Sequence, residues 1–298
     1  MSGSPDILLI DADMLLYRVL ASMEVETRWG EEVWTLSINE AQARDAVERR
    51  IATVIDEVAP ASLPYLCFSG SRNFRFDVYP LYKSNRASTR KPMCYRVLKE
   101  WLRDTERTSR AGRRVRYAEE PVLEGDDLMS LMATHPAAMG RTIIVTDDKD
   151  LKQVPGRLYR FPDYDGKKPK TLKREVREVS TEEADRFFYV QTIAGDVADG
   201  YPGAPGFGAT TAEDLLRKKL MLEPMEHELQ RGPRVGQTET RWERVSSPSP
   251  WDTVLSCYAK AGLDESDALQ NARVARMLRH GEYDFKKQEV RLWEPSRS

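Results

Sequence analysis

Four clusters of carboxylates punctuate this 298-residue chain at points where a strand or turn hands over to a helix: Asp11-Ala-Asp13, Glu124-Gly-Asp126-Asp127, Asp147-Asp148-Lys149-Asp150 and Asp196-Val-Ala-Asp199. Residues 7–10 and 142–146 are short apolar runs that lead into the first and third clusters, and residues 65–68 have the same character. Such runs read as strands buried on both faces. Helical patterns lie between them, at residues 41–58 and 123–133. Strands alternating with helices predict an α/β fold with a central, mainly parallel sheet flanked by helices. Ligands in such sheets bind beyond the carboxyl ends of the strands, which is where Asp11 and residues 147–150 fall. Crowded like charges repel, so if the fold gathers the clusters, divalent cations are the natural compensation.

The formal net charge of -2 is unevenly spread. Between residues 72 and 116, 14 Lys or Arg stand against four acids, with Tyr79, Tyr82, Tyr95 and Trp101 interleaved. An acidic pocket with a basic segment suits a polyanion held over metals. Cys67, Cys94 and Cys257 are far apart and share no metal-ligand or disulfide spacing, which excludes a zinc site or disulfide framework. No apolar stretch reaches the ~20 residues of a membrane span, and the first residues carry no signal pattern. The expectation is a cytoplasmic protein, a monomer with no membrane attachment.

Residues 73–112 form the candidate substrate-embracing insertion, a loop followed by a helix over about residues 92–107. Residues 209–220 read as a helix, residues 223–250 as a long polar loop, and residues 251–262 and 265–278 as two more helices. Residues 289–293 read as a last strand or tail. Acids in a first helical turn ordinarily complement the helix dipole, so residues 124–127 taken alone are more readily structural than functional. The segment Pro202-Gly203-Ala-Pro-Gly206-Phe-Gly208 carries more information. Its glycines permit positive φ and close backbone approach, and the helix that follows offers free N–H groups to a phosphate.

Taken in order, these motifs resemble the structure-specific 5′ nuclease family of 5′→3′ exonucleases and flap endonucleases, most closely the stand-alone 5′→3′ exonucleases of short-tailed bacteriophages. The resemblance runs through Ile7-Leu-Leu-Ile-Asp11, Tyr82-Lys-Ser-Asn-Arg86, Leu123-Glu-Gly-Asp-Asp-Leu128, Thr146-Asp-Asp-Lys-Asp-Leu151 and Gly195-Asp-Val-Ala-Asp-Gly200, then residues 202–208, and extends to residues 272–279 and 292–295. It implies a PIN-like nuclease domain over residues 1–179, with a helical arch at about 73–112, and a helix-three-turn-helix DNA-binding subdomain with a C-terminal helical segment over residues 180–298. It also implies two Mg²⁺ ions, with Mn²⁺ as a substitute. Asp11, Glu124, Asp126 and Asp148 would serve the first, and Asp148, Asp150, Asp196 and Asp199 the second, with Asp127 supporting. Asp11, Asp126 and Asp148 are then catalytic through cation-activated water, and Lys83 and Arg86 through the scissile phosphate. Arg75, Tyr82, Gly203, Gly206 and Gly208 would contact DNA, and the turn at 203–208 would hold K⁺ through carbonyl oxygens. The implied substrates are duplex DNA with a free 5′ end, RNA–DNA hybrids and 5′ flaps, and the implied setting is phage-type DNA replication, recombination or host DNA breakdown, with replication proteins as partners.

The sequence departs from the family at one place. Relatives carry an Asp shortly after the strand matching residues 65–68, where this chain has Ser69-Gly70-Ser71. That acid is then absent, or its role passes to water or to another residue such as Asp13 or Asp147. The same gap motivates a second reading, a DNA-binding relative without catalysis, although anions beside phosphate would gain such a binder nothing. A third reading is a haloacid-dehalogenase-like phosphatase, whose first and last signatures residues 10–13 and 195–199 mimic. It leaves residues 124–127 and the glycine turn unexplained.

Overall fold

A computed structural model describes residues 6–59, 61–86, 88–103, 114–161, 176–231, 233 and 235–296. In chain order come β1 (Ile7–Asp11), α1 (Ala12–Met23), β2 (Val25–Arg28), β3 (Trp34–Ser37), α2 (Glu40–Val58), β4 (Leu63–Ser69), the single turn α3 (Arg75–Val78) and α4 (Tyr95–Leu102). They are followed by β5 (Arg116–Glu120), α5 (Gly125–Ala133), β6 (Thr142–Val145), β7 (Gly156–Tyr159), β8 (Arg177–Val179) and α6 (Thr181–Ala194). The remainder is α7 (Ala209–Lys218), β9 (Leu220–Glu228), β10 (Thr238–Ser246), α8 (Pro250–Lys260), α9 (Glu265–Ala275), β11 (Tyr283–Asp284) and β12 (Glu289–Val290). No helix among the described residues is long and apolar enough to cross a membrane.

The chain divides into two compact units, residues 1–74, 88–181 and 277–291 against residues 75–87, 182–276 and 292–298. The first is built on a six-stranded sheet of order β5-β4-β1-β6-β7-β8, parallel except for the antiparallel β8. Leu8 and Ile10 of β1 pack into one core with Leu16 of α1 and Val47 and Ile51 of α2. The intervening Leu9 packs into another with Met129 of α5, Ile144 and Met277. A period of two with both faces buried is what a central parallel strand requires. The register Asp11↔Cys67 and Ser69↔Glu120 brings the carboxyl ends of β1, β4 and β5 to one edge.

The second unit has its own core. Phe188, Ile193, Leu215, Trp251, Val254, Tyr258 and Ala272 are buried together, and Tyr82 joins them. Trp293 stacks edge-on against Phe188 and Trp251.

Several sequence expectations need correction. Residues 223–250 are largely a ribbon, with Leu220↔Ser246 through Glu228↔Thr238 in continuous antiparallel register. Pro224 and the acids of β9 argue against a strand within a wide sheet, but in a two-stranded ribbon each strand is an edge and Pro is tolerated. The β2–β3 hairpin was not anticipated. The helix expected over 265–278 ends at Ala275, because Met277 and Leu278 give their amides to Gln153 Oε1 and Asp127 Oδ1 at 3.1 and 3.3 Å. Of the helix expected over 92–107, Tyr95–Leu102 is formed, and residues 87 and 104–112 of the expected arch lie outside the described residues. Residues 75–87 belong to the second unit and 277–291 to the first.

Candidate functional site

The first unit gathers acids at the carboxyl ends of its strands. Asp11 closes β1 and caps α1, its Oδ1 accepting from the Met14 amide at 3.0 Å, while Oδ2 accepts from the Thr146 hydroxyl at 2.8 Å. Thr146 follows β6 directly, and its hydroxyl also accepts from the Asp148 amide at 3.0 Å. Asp148 in turn accepts from the Asp150 amide at 2.8 Å. Asp126 lies in the first turn of α5, behind the N-cap Glu124, whose side chain makes no capping hydrogen bond. Gly125 lets that helix approach β4, since a Cβ there would lie 3.3 Å from the Cys67 carbonyl oxygen.

Electrostatics report the crowding. Burial, followed by the charges of Asp13 and Asp148, raises the Asp11 carboxyl from 3.8 to about 7 against the opposing hydrogen bonds of Met14 and Thr146. Burial also drives the Cys67 thiol far upward, helped by the charges of Asp11, Asp126 and Asp13. Asp11, Asp13, Asp126 and Asp148 are therefore one electrostatic group, made of hard oxygen donors in an excess that a divalent cation would relieve. No three carboxylate, imidazole or thiol side chains among the described residues form a ready-made cage.

The two acids considered for the missing family Asp differ. Asp147 pairs with Arg18 and with Arg160. Asp13 accepts from the Ser69 amide at 2.7 Å and from the Tyr95 hydroxyl, so it stands at the exit of β4. Gly70 itself has no room for a side chain, because a Cβ would lie 2.0 Å from the Glu120 carbonyl oxygen. Sequence reasoning missed the α4 residues beside it. Lys99 donates to the Ser69 carbonyl at 2.7 Å and pairs with Glu119 at 3.0 Å, and Arg103 also binds Glu119. The only signal for them was the i, i+4, i+8 spacing of Tyr95, Lys99 and Arg103. Asp127 is fully buried and faces the Leu278 amide, which makes it a tie to the returning C-terminal segment.

The second unit holds a different arrangement. Gly195, at φ +69, ends α6 and leads into a turn in which Asp196 Oδ1 accepts from the Ala198 and Asp199 amides at 2.8 and 3.4 Å. Asp199 receives the Tyr82 hydroxyl at 3.0 Å and the Arg86 guanidinium at 2.7 Å, and Lys83 Nζ stands 3.7 Å away. The Lys83 amide donates to the Asp199 carbonyl at 2.8 Å, and Arg86 and Asn85 bind the carbonyls of Ala198 and Val197. Lys83 adopts φ 52. A non-glycine residue held in the left-handed region points to a use for its side chain.

Gly203 meets the end of α6 so closely that a Cβ would lie 2.3 Å from the Gly195 nitrogen. Gly206 has φ +86 with open space around it, and Gly208 is the N-cap of α7. Two expected DNA contacts are corrected. Arg75 is fully buried, donating to the carbonyls of Val274 and Arg276 at 2.8 and 2.7 Å, and Tyr82 is 1% exposed against Asp199. Both are structural, because their polar atoms are satisfied inside the unit.

Known proteins match this chain along its length. Residues 6–180 match the model of the 5′-3′ exonuclease, N-terminal resolvase-like domain. The chain is 34% identical over 298 residues to the exonuclease of Escherichia phage T7, covering 97% of this chain and 93% of that protein. It is equally similar, 34% over 297 residues with the same coverage, to the exodeoxyribonuclease of Enterobacteria phage T3. The bacteriophage T5 D15 flap endonuclease, solved in a pseudo-enzyme-product complex with DNA and metal ions, has the same fold, with a TM-score of 0.53, 12% identity and coverage of 91% of this chain and 89% of that one. A parallel sheet with acids gathered at its carboxyl edge, the family model and the full-length phage relatives agree, and the chain belongs to the 5′→3′ exonuclease family.

Proposed function

We propose that the protein is a divalent-metal-dependent 5′→3′ exodeoxyribonuclease that hydrolyses phosphodiesters from the 5′ ends of duplex DNA. It also removes 5′ flaps and RNA primers on RNA–DNA hybrids, in phage-type replication, recombination or host DNA breakdown. The observation that carries this reading is the electrostatic group of Asp11, Asp13, Asp126 and Asp148, where burial and like charge raise Asp11 to about 7. Glu124 and Asp150 join these acids as proposed ligands, as do Asp196 and Asp199, with Mg²⁺ the default and Mn²⁺ a substitute. Bound divalent cations would activate water and neutralise charge at the scissile phosphate.

The remaining steps belong to side chains. Asp13, fixed by Tyr95 and the Ser69 amide, serves in place of the acid absent after β4, and Asp127 acts from behind by anchoring the segment at Leu278. Lys83 and Arg86 rest on Asp199. Were Asp199 to hold a divalent cation, the two would be available to the scissile phosphate. The amides at the N-terminus of α7 and the turn of Gly203, Gly206 and Gly208 hold the duplex backbone without reading sequence, and the turn carbonyls take K⁺. Arg217 and Lys218 are paired with Asp214.

The test is digestion of matched duplexes labelled at the 5′ or the 3′ end, with and without Mg²⁺. Short products released from the 5′ label, abolished by EDTA, are expected. Activity that persists in Asp148→Ala and Asp196→Ala would overturn the assignment.

A further inference from the structure

The first unit contains a cavity away from the acids. Asp11 closes β1 and Asp126 opens α5, whereas Ile7 starts β1 and His135 lies just past the end of α5. A nine-residue helix separates the two places by about 14 Å along its axis. Here an open cavity of about 400 Å³ is walled by the rings of Tyr65, His135, His280, Tyr283 and Phe285. The size is within the range of small-molecule sites.

The C-terminal segment supplies half of this wall and is firmly tied down. The His280 amide donates to the Thr134 hydroxyl at 2.8 Å, the Tyr283 hydroxyl donates to Glu120 at 3.1 Å, and Leu278 reaches Asp127. His135 and His280 stack edge to face with centroids 4.5 Å apart, and Tyr283 and Phe285 do so at 4.9 Å. The polar atoms are biased to donation. The Ala137 amide donates to His135 Nδ1 at 3.2 Å, which leaves the proton of the neutral ring on Nε2. The Tyr65 oxygen accepts from Arg116 at 2.8 Å, leaving its O–H to donate, and the guanidinium lies 5.5 Å from the ring centroid.

We propose that this cavity binds a small planar aromatic molecule carrying a carboxylate or comparable acceptor, its ring among the five aromatic side chains and its acceptor toward His135 and Tyr65. Edge and face contacts with several rings favour a flat aromatic ligand over a saturated one, and the donors with Arg116 behind Tyr65 favour an anion. The site is independent of the nuclease reading.

The chain has only three histidines, His135, His227 and His280, so imidazole C–H NMR signals of the full-length protein give a direct readout. Titration with indole-3-acetate is expected to move the His135 and His280 signals together and leave His227, on β9, in place. Cyclohexylacetate and indole should each bind about tenfold more weakly. Ala138→Phe, which fills the cavity, should abolish the shifts. Phe285→Ala, at a ring that is 53% exposed and so tolerant of change, should weaken binding several-fold while leaving the fold intact. Unmoved signals at millimolar indole-3-acetate, equal shifts with cyclohexylacetate, or undiminished binding in Phe285→Ala would each overturn the proposal.

Discussion

The two units treat carboxylates in opposite ways. At the edge of the sheet, Asp11 is surrounded by further acids and is held by a backbone amide and the Thr146 hydroxyl, with no cationic partner among the described residues, and its carboxyl rises to about 7. In the turn after α6, Asp199 is met by the Arg86 guanidinium, the Lys83 ammonium and the Tyr82 hydroxyl. One region sets acid against acid around Asp11, and the other sets base against acid around Asp199. The crowded edge presents hard oxygen donors of the kind divalent cations take, while in the turn Asp199 is compensated by Arg86 and Lys83.

The largest effect should come from removing the uncompensated charge. Asp11→Asn is expected to lower the cleavage rate on the order of a thousandfold, read from 5′-labelled duplex, while raising thermal stability in EDTA. The pH dependence follows from the direction of the shift. Below 3.8 neither folded nor unfolded Asp11 is ionised; as pH rises toward 7 the unfolded chain ionises and the folded one resists. Stability of the metal-free protein therefore falls across that window, by a few kcal/mol at most, and levels off above it. The Asn variant should flatten this slope in thermal melts. An unchanged slope would mean that Asp11 is not the strained member of the group.

Arg75 sharpens the comparison from the structural side, being a fully buried charge inside the second unit. Arg75→Met should cost about 3 kcal/mol in denaturant unfolding, because it orphans the buried carbonyls of Val274 and Arg276. Its DNA affinity and salt slope should stay at wild-type values below the melting transition. A reduced salt slope would restore Arg75 to the DNA surface.

Lys83 comes next. Its ammonium and its backbone make separable contributions, since φ is 52. Lys83→Ala should lose about a hundredfold in rate through the missing phosphate contact. Lys83→Gly should lose the same rate yet gain about 1 kcal/mol in stability by relieving the left-handed conformation. Equal stability of the two variants would show that the backbone there is unstrained.

How much of this was legible in the sequence depended on whether the decisive partner was local. The strands β1, β4 and β6 were readable because a short apolar run with both faces buried needs no knowledge of its neighbours. Asp11 and Asp148, which the sequence places at strand-to-helix handovers, also cap the turns that follow, binding amides three and two residues on. Arg75 and Tyr82, expected from the resemblance as DNA contacts, lie buried, and the carbonyls of Val274 and Arg276 and the carboxylate of Asp199 that they bind are remote in sequence. The absence of an acid after β4 was visible, but the reason Gly70 cannot carry one is a backbone approach from Glu120. The ribbon of β9 and β10 was hidden by Pro224, which forbids a central strand and leaves an edge strand open.

The smallest effects grade the glycine turn and test whether its backbone is a phosphate site. Gly203→Ala should be the worst of the series, since its Cβ would overlap the Gly195 nitrogen at 2.3 Å while φ stays at +64. Gly206→Ala meets no atom and bears only the cost of φ +86, about 1 kcal/mol. Gly208 is an N-cap at φ -95 and ψ 168, a conformation that any residue adopts. Gly208→Ser should therefore stabilise the fold by a few tenths of a kcal/mol through a capping hydrogen bond. That same hydroxyl would occupy the α7 amides proposed to receive phosphate, so duplex affinity should fall about threefold even as the melting temperature rises. Stability and affinity moving up together in Gly208→Ser would remove the helix N-terminus from the DNA surface and leave the compensated turn, with Lys83 and Arg86, as the second unit's contribution to binding.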